Sequence, residues 1–177
     1  GGLFIMILET FLLANAEPEL LLEKQKHYHE CKSCSPLEQR ALRFFQDQGI
    51  SDKWALATIL GNIKQESLWK SNICEGGSRV NYHNCHRGGY GLIQWTNQAR
   101  YNGLGSHCRR LGQNPSKIDC QLSYLVTERE WKAALPGFKT KGLPIGGYMR
   151  HAHTWLGWVV HGARTQYAND YLNRINA

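Results

Sequence analysis

The stripe of residues between Ser51 and Trp69 constrains this chain more than any other feature. Ala55, Ile59, Asn62, Ile63 and Glu66 recur at the i, i+4, i+7, i+8, i+11 spacing that places side chains on one face of an α-helix. Three of these are apolar, Asn62 is a neutral amide, and the last is a carboxylate. An unpaired carboxylate on a buried helical face costs several kcal/mol unless it is neutral or hydrogen-bonded. Turning to solvent at the helix end, or pairing with an arginine, removes that cost. Burial beside Ile59, Ile63 and aromatic rings would instead raise the pKa of Glu66, which is what a general acid working near neutral pH requires.

Around this helix the pattern is predominantly helical. Ser35, Pro36 and Glu38 form a capping box with proline at the first helical position, and the helix they open carries Leu37, Ala41, Phe44 and Phe45 inward before stopping at Gly49. Ser51 is the expected cap of the next helix. Residues 71 to 96 alternate glycine and aromatic residues, as in "GGYGLIQWT", and read as an irregular or short β region. Helical periodicity returns at 97 to 111, at 117 to 134 with Ile118, Leu122 and Leu125 aligned, and at 147 to 175, with a glycine- and proline-marked loop at 136 to 147. The fold class is mostly α, an α+β arrangement with a small β or loop insertion.

The 177 residues suffice for one domain with an appendage. Residues 1 to 36 read as a hydrophobic N-terminal anchor, extended or helical, followed by a polar linker; residues 37 to 177 read as the folded domain. "LFIMILETFLLANA" is shorter than the roughly 20 residues of a membrane span. Ala14-Asn15-Ala16 resembles a signal-peptidase site, without a basic leader ahead of it. Such an apolar tail is expected to be gripped by a partner chain in an assembly, or to fold as an amphipathic helix on its own domain, and membrane contact stays open.

Charge and cysteines narrow the class further. Residues 37 to 177 hold 18 basic against nine acidic side chains, a field that attracts polyanions such as nucleic acid, anionic membrane or bacterial wall. The basic residues are scattered instead of gathered on one helix or stripe, so no nucleic-acid partner is expected. Six cysteines permit three disulfides. His27, His29, Cys31 and Cys34 could alternatively hold a structural zinc, and so could Cys74, His83, Cys85 and His86, although a Cys74–Cys85 loop staple is also open there. Cys108 and Cys120 flank a helix–helix turn that they could bridge. His151, His153 and His161 with Trp155 and Trp158 read as core aromatics at helical spacing.

Four motifs in order then carry a resemblance. "LGNIKQES" followed by "GGYGLIQWT" and Arg100, then "CQLSYLVTE" at 120 to 128, then "RTQYANDYLNRI" at 164 to 175, resemble the phage tail lysozyme family of the lysozyme-like superfamily. The resemblance covers about residues 37 to 177. It implies cleavage of the glycan strands of peptidoglycan, by a muramidase or a lytic transglycosylase, in a virion whose tail opens the bacterial cell wall or acts in the periplasm. It implies contact with other phage tail or virion proteins, expected through residues 1 to 36, and no cofactor for catalysis. By position in the motifs, Glu66 matches the catalytic acid, and Ser67, Gln94 and Trp95 match substrate-contacting positions, with Tyr90 and Tyr101 as weaker candidates. A lysozyme-like virion protein that grips glycan without cutting it is the alternative.

A second carboxylate is not evident. No Asp or Glu occurs between Glu75 and Asp119. A retaining mechanism, which sets its two carboxyl groups about 5 Å apart, would have to recruit Glu75, Asp119, Glu128 or Glu130. A single-glutamate scheme is favoured instead, with either water attacking or the muramic acid C6 hydroxyl closing a 1,6-anhydro ring.

Overall fold

The computed structural model describes residues 27–86 and 88–177. Seven α-helices occur among them: α1 Pro36–Asp47, α2 Lys53–Ser67, α3 Gln98–Arg110, α4 Ile118–Leu125, α5 Arg129–Lys139, α6 Ile145–Leu156 and α7 Arg164–Arg174. The architecture is mostly helical, as the sequence pattern predicts. Of the N-terminal anchor and linker expected over residues 1 to 36, residues 1 to 26 lie outside the described residues. Residues 27 to 35 pack on the domain: the His29 amide donates to Gln46 Oε1 at 2.8 Å, and the Glu30 amide to Asn176 Oδ1 at 3.0 Å.

Helix α1 starts as its sequence dictates, with the Ser35 hydroxyl accepting from the Glu38 amide and the Glu38 side chain reaching back to the Ser35 amide. Helix α2 is capped by Asp52, not Ser51: the Asp52 carboxylate accepts from the amides of Trp54 and Ala55. Every residue of α2 from Ala55 to Ile63 is buried, so the apolar stripe is part of a helix enclosed on all sides. It touches α1, α5, α6 and, most extensively, α7. Gly61 makes the last contact feasible, since a Cβ there would lie 2.5 Å from the Ala168 backbone nitrogen. The two backbones cross with no side chain between them. Below α2, Phe45, Trp131, Phe138 and Trp155 form an aromatic core, with Trp131 centred 5.2 Å from Phe45 and 5.0 Å from Trp155.

Two helices expected from periodicity are each broken in two. The 117 to 134 pattern ends at Leu125 and restarts at Arg129, with Glu128 in extended conformation as N-cap. Its carboxylate is drawn to Trp95 and Arg100, a tertiary demand that periodicity does not encode. The 147 to 175 pattern opens at Ile145 and breaks at Gly157, whose φ of 59° ends α6 in the left-handed conformation that glycine adopts without strain. Conversely, the expected loop at 136 to 147 is shorter, because α5 continues through Pro136 to Lys139. Proline inside a helix costs about 3 kcal/mol, offset here by full burial of Phe138, the penultimate residue of the helix.

Residues 71 to 96 contain, among the described residues, one 3-10 turn at Tyr82–Asn84 and isolated antiparallel bridges pairing Ile73 with Arg79, Cys74 with Tyr90, and Tyr90 with Trp95. Three disulfides join Cys31 to Cys34, Cys74 to Cys85, and Cys108 to Cys120. The second closes this irregular segment, and the third fastens α3 to α4. With both sulfurs of Cys31 and Cys34 in a disulfide, the zinc alternative at His27, His29, Cys31 and Cys34 fails for want of thiolates. The His29 ring instead meets the Ser51 carbonyl and Asn176. The same objection removes zinc at Cys74 and Cys85. No cluster of three or more His, Cys, Asp or Glu suited to a metal occurs among the described residues, and no described helix is long and apolar enough to cross a membrane.

Candidate active site

Glu66 occupies the last turn of α2, at the point where the helix leaves the core. Leu68 and Trp69 follow with φ of 50° and 62°, two successive left-handed residues that turn the chain sharply away. The turn is held from the far side, where buried Trp69 donates its indole N–H to Tyr171 Oη at 2.8 Å. The Glu66 side chain is therefore displayed at a rim, 17 % exposed.

Facing it is a cleft of about 650 Å³ lined by Glu66, Gln94, Arg100, Trp158, Val160 and Arg164, among others. Glu66 is the one carboxylate among the lining residues. Its Oε1 accepts from Arg164 Nη2 at 2.9 Å, while its Oε2 has no hydrogen-bond partner among the described residues. Burial raises the Glu66 pKa; Arg164 and, more weakly, Arg100 pull it back, and burial prevails. An acid arranged this way holds its proton above the usual carboxylate range and has one oxygen free to give it up.

Arg164 is the residue that sequence reasoning passed over. It lies at the start of α7, 5 % exposed. Its guanidinium also donates to Asn62 Oδ1 at 3.2 Å and lies 4.4 Å from the centre of the Trp158 ring, while its Nε has no partner. Asn62, one turn before Glu66, is the buried amide of the original stripe; its Nδ2 donates to the Thr58 carbonyl, leaving Oδ1 for Arg164. The signal was present as the first arginine of "RTQYANDYLNRI", together with an otherwise unexplained buried Asn.

The opposite wall is the 90 to 96 loop, and α4 with the residues after it holds that loop in place. Gln121 is fully buried and accepts from the Leu92 amide at 2.9 Å, while its Nε2 donates to the Ser71 and Pro115 carbonyls. Gly91, at φ 79°, leaves room for it: a Cβ would lie 2.8 Å from Gln121 Oε1. Glu128 accepts the Trp95 indole N–H at 2.7 Å and grips Arg100 through two bonds, at 2.6 and 3.0 Å. Gln121 and Glu128 thus act as two clamps on one loop, which explains the Gln-x-x-x-Leu-x-x-Glu spacing.

Of the residues expected to meet substrate, the structure brings Gln94 to the cleft with Glu66. Gln94 has φ 54°, and its Nε2 is spent on the Ile73 and Gly91 carbonyls, so its Oε1 is the unpartnered end. Ser67, Tyr90 and Trp95 do not line the cleft. Ser67 is buried and donates to the Ile63 carbonyl. Tyr90 and Trp95 are fully enclosed, Tyr90 bonding the Val80 carbonyl and Ser116. Trp155 is core as expected, but Trp158 is not: it stands at the cleft between His153, His161 and Arg164. The other carboxylates considered as partners are committed elsewhere: Glu75 to the Gly89 amide, Asp119 to Arg40, Glu128 to Arg100, and Glu130 to Arg129.

A mostly helical domain that presents a largely buried glutamic acid to a polar cleft agrees with the lysozyme-like class. The chain is a member of the phage tail lysozyme family, whose model matches residues 37–173. Membership carries a lysozyme-like role acting on peptidoglycan, in a protein associated with the virion. No curated protein and no solved structure matches the chain.

Proposed function

We propose that this protein cleaves the glycan strands of peptidoglycan with Glu66 as general acid, from a phage tail and during penetration of the cell wall, with residues 1 to 36 as its attachment to other virion proteins. The observation that carries the reading is the largely buried Glu66, its pKa raised by burial, its Oε2 unpartnered and its cleft without a second carboxylate among the described residues. Glu66 protonates the glycosidic oxygen as an oxocarbenium-like centre develops. As the proton leaves, the new carboxylate is met by Arg164, so the ion pair is strongest after transfer. The same carboxylate then accepts a proton from water or from the muramic acid C6 hydroxyl, whichever attacks. The Trp158 ring and the Gln94 carbonyl supply the apolar and polar contacts a sugar requires.

Glu66→Gln tests this on purified sacculi: release of fragments is expected to fall at least about 100-fold, with folding retained. Retained release would reject Glu66 as the acid. Mass spectrometry of the wild-type digest names the reaction, reducing ends for hydrolysis and anhydro ends for transglycosylation. The Arg164 ion pair favours one other reading, a protein that grips glycan with an ionised Glu66 and does not cut; a wild-type digest with no new ends would establish that instead.

A further inference from the structure

The cleft is not isolated. A second hollow of about 680 Å³ adjoins it, and Thr96 belongs to the walls of both. One side of this hollow is α3, presenting Tyr101, Asn102 and Arg109; the other is the turn around the Cys74–Cys85 disulfide, presenting Tyr82, His83 and His86. The walls are firmly built. Tyr82 and Tyr101 stack with centroids 4.2 Å apart, and Gly105 leaves space for the Tyr82 ring against α3, since a Cβ there would lie 2.5 Å from its hydroxyl.

Among the described residues the lining contains no Asp or Glu and carries the positive charge of Arg109, with the rings of His83 and His86 adding N–H donors. The Arg109 guanidinium has no hydrogen bond or ion pair among the described residues, unlike those of Arg40, Arg100, Arg164 and Arg174, each of which meets a carboxylate. Glu75 approaches the Gly88 edge, where its Oε2 accepts from the Gly89 amide and its negative charge remains, so the hollow's positive end is the one at Arg109.

Granting that the cleft takes a peptidoglycan strand, each muramoyl residue in it bears a short peptide with free carboxylates, and that peptide must leave the cleft somewhere. Thr96 is the shared border. From the α3 cap at Asn97 to Arg109 the helix rises about 18 Å, and an extended peptide of about five residues spans about 17 Å. We infer that the second hollow is a subsite for the carboxylate-bearing peptide stem of the muramoyl residue, running along α3 to Arg109. Glycan registers there by its stem as well as by its sugars, so the enzyme distinguishes peptide-bearing strands from bare ones.

The test uses the full chain carrying Glu66→Gln to prevent turnover, titrated calorimetrically with the N-acetylglucosaminyl-N-acetylmuramic disaccharide, with and without its peptide. The stem-bearing ligand is expected to bind at least tenfold more tightly. Adding Arg109→Gln, an exposed change that leaves the fold alone, is expected to erase most of that advantage and leave affinity for the bare disaccharide unchanged. Equal binding of the two ligands, or equal weakening of both by Arg109→Gln, would overturn the subsite while leaving glycan cleavage intact. Failure of either disaccharide to bind would overturn the subsite together with the glycan reading on which it rests.

Discussion

Arg164 reaches Glu66 across the α2–α7 contact, with 2.9 Å between Nη2 and Oε1. Burial lifts the Glu66 pKa and Arg164 opposes the lift. Replacing Arg164 with Gln removes the opposing charge, so the alkaline limb of the pH–activity profile is expected to move to higher pH. A downward move would show that Arg164 holds the proton on Glu66 by some route other than its charge.

The same shift has a stability consequence. With its folded-state pKa raised above the unfolded value, Glu66 contributes stability that is complete below the ordinary glutamate range and is lost as pH rises through the raised pKa. The difference in unfolding free energy between Glu66→Gln and wild type should therefore move in favour of the variant from acid to neutral pH. Urea denaturation across that range measures it; a trend of the opposite sign would contradict the burial-dominated environment.

Glu128→Ala is expected to destabilise the domain by about 3 kcal/mol, because it leaves the buried Trp95 indole N–H and the Arg100 guanidinium without their acceptor. It should also loosen the loop bearing Gln94, which hydrogen exchange of residues 90 to 96 would register. A loss under about 1 kcal/mol would mean the clamp is dispensable.

The Cys74–Cys85 disulfide closes a loop of sequence separation 11. Replacing both cysteines with Ser is expected to lower stability by about 3 kcal/mol on the chain-entropy account. Thermal melts of the double variant against wild type provide the check, and a Tm unchanged by the substitution would show that the neighbouring hydrogen bonds hold the segment alone.

Gly61→Val places side-chain atoms where α2 and α7 touch. A cost of about 2 kcal/mol from overpacking is expected, with a larger fall in cleavage than Tm loss explains, because the clash pushes Arg164 away from Glu66. Full activity in a folded Gly61→Val would separate the helix contact from the site.

The parts of this molecule legible in its sequence are those governed by local rules. The Ser35–Glu38 capping box and the inward path of Ala55, Ile59, Ile63 and Glu66 follow from spacing alone. The breaks at Glu128 and Gly157 run against the helical periodicity on either side of them. At the first, a distant Trp95 and Arg100 outbid the continuing helix, a demand with no local trace. At the second, the glycine was visible but the flanking periodicity masked it. Trp95 shows the same limit within the site: a motif position indicates that a ring is needed near the cleft, not whether it faces sugar or supports the wall from behind. Arg164 stands 98 residues from Glu66, and only folding joins them.

The bare backbone crossing at Gly61 and Ala168 has one more effect. Because the helices that bear the acid and the arginine abut without side chains as cushions, any slippage of α7 along α2 would be felt by Glu66 undiminished. The Glu66 carboxyl is thus tuned by the frame of the molecule, and the outer surfaces are free to diversify without detuning it.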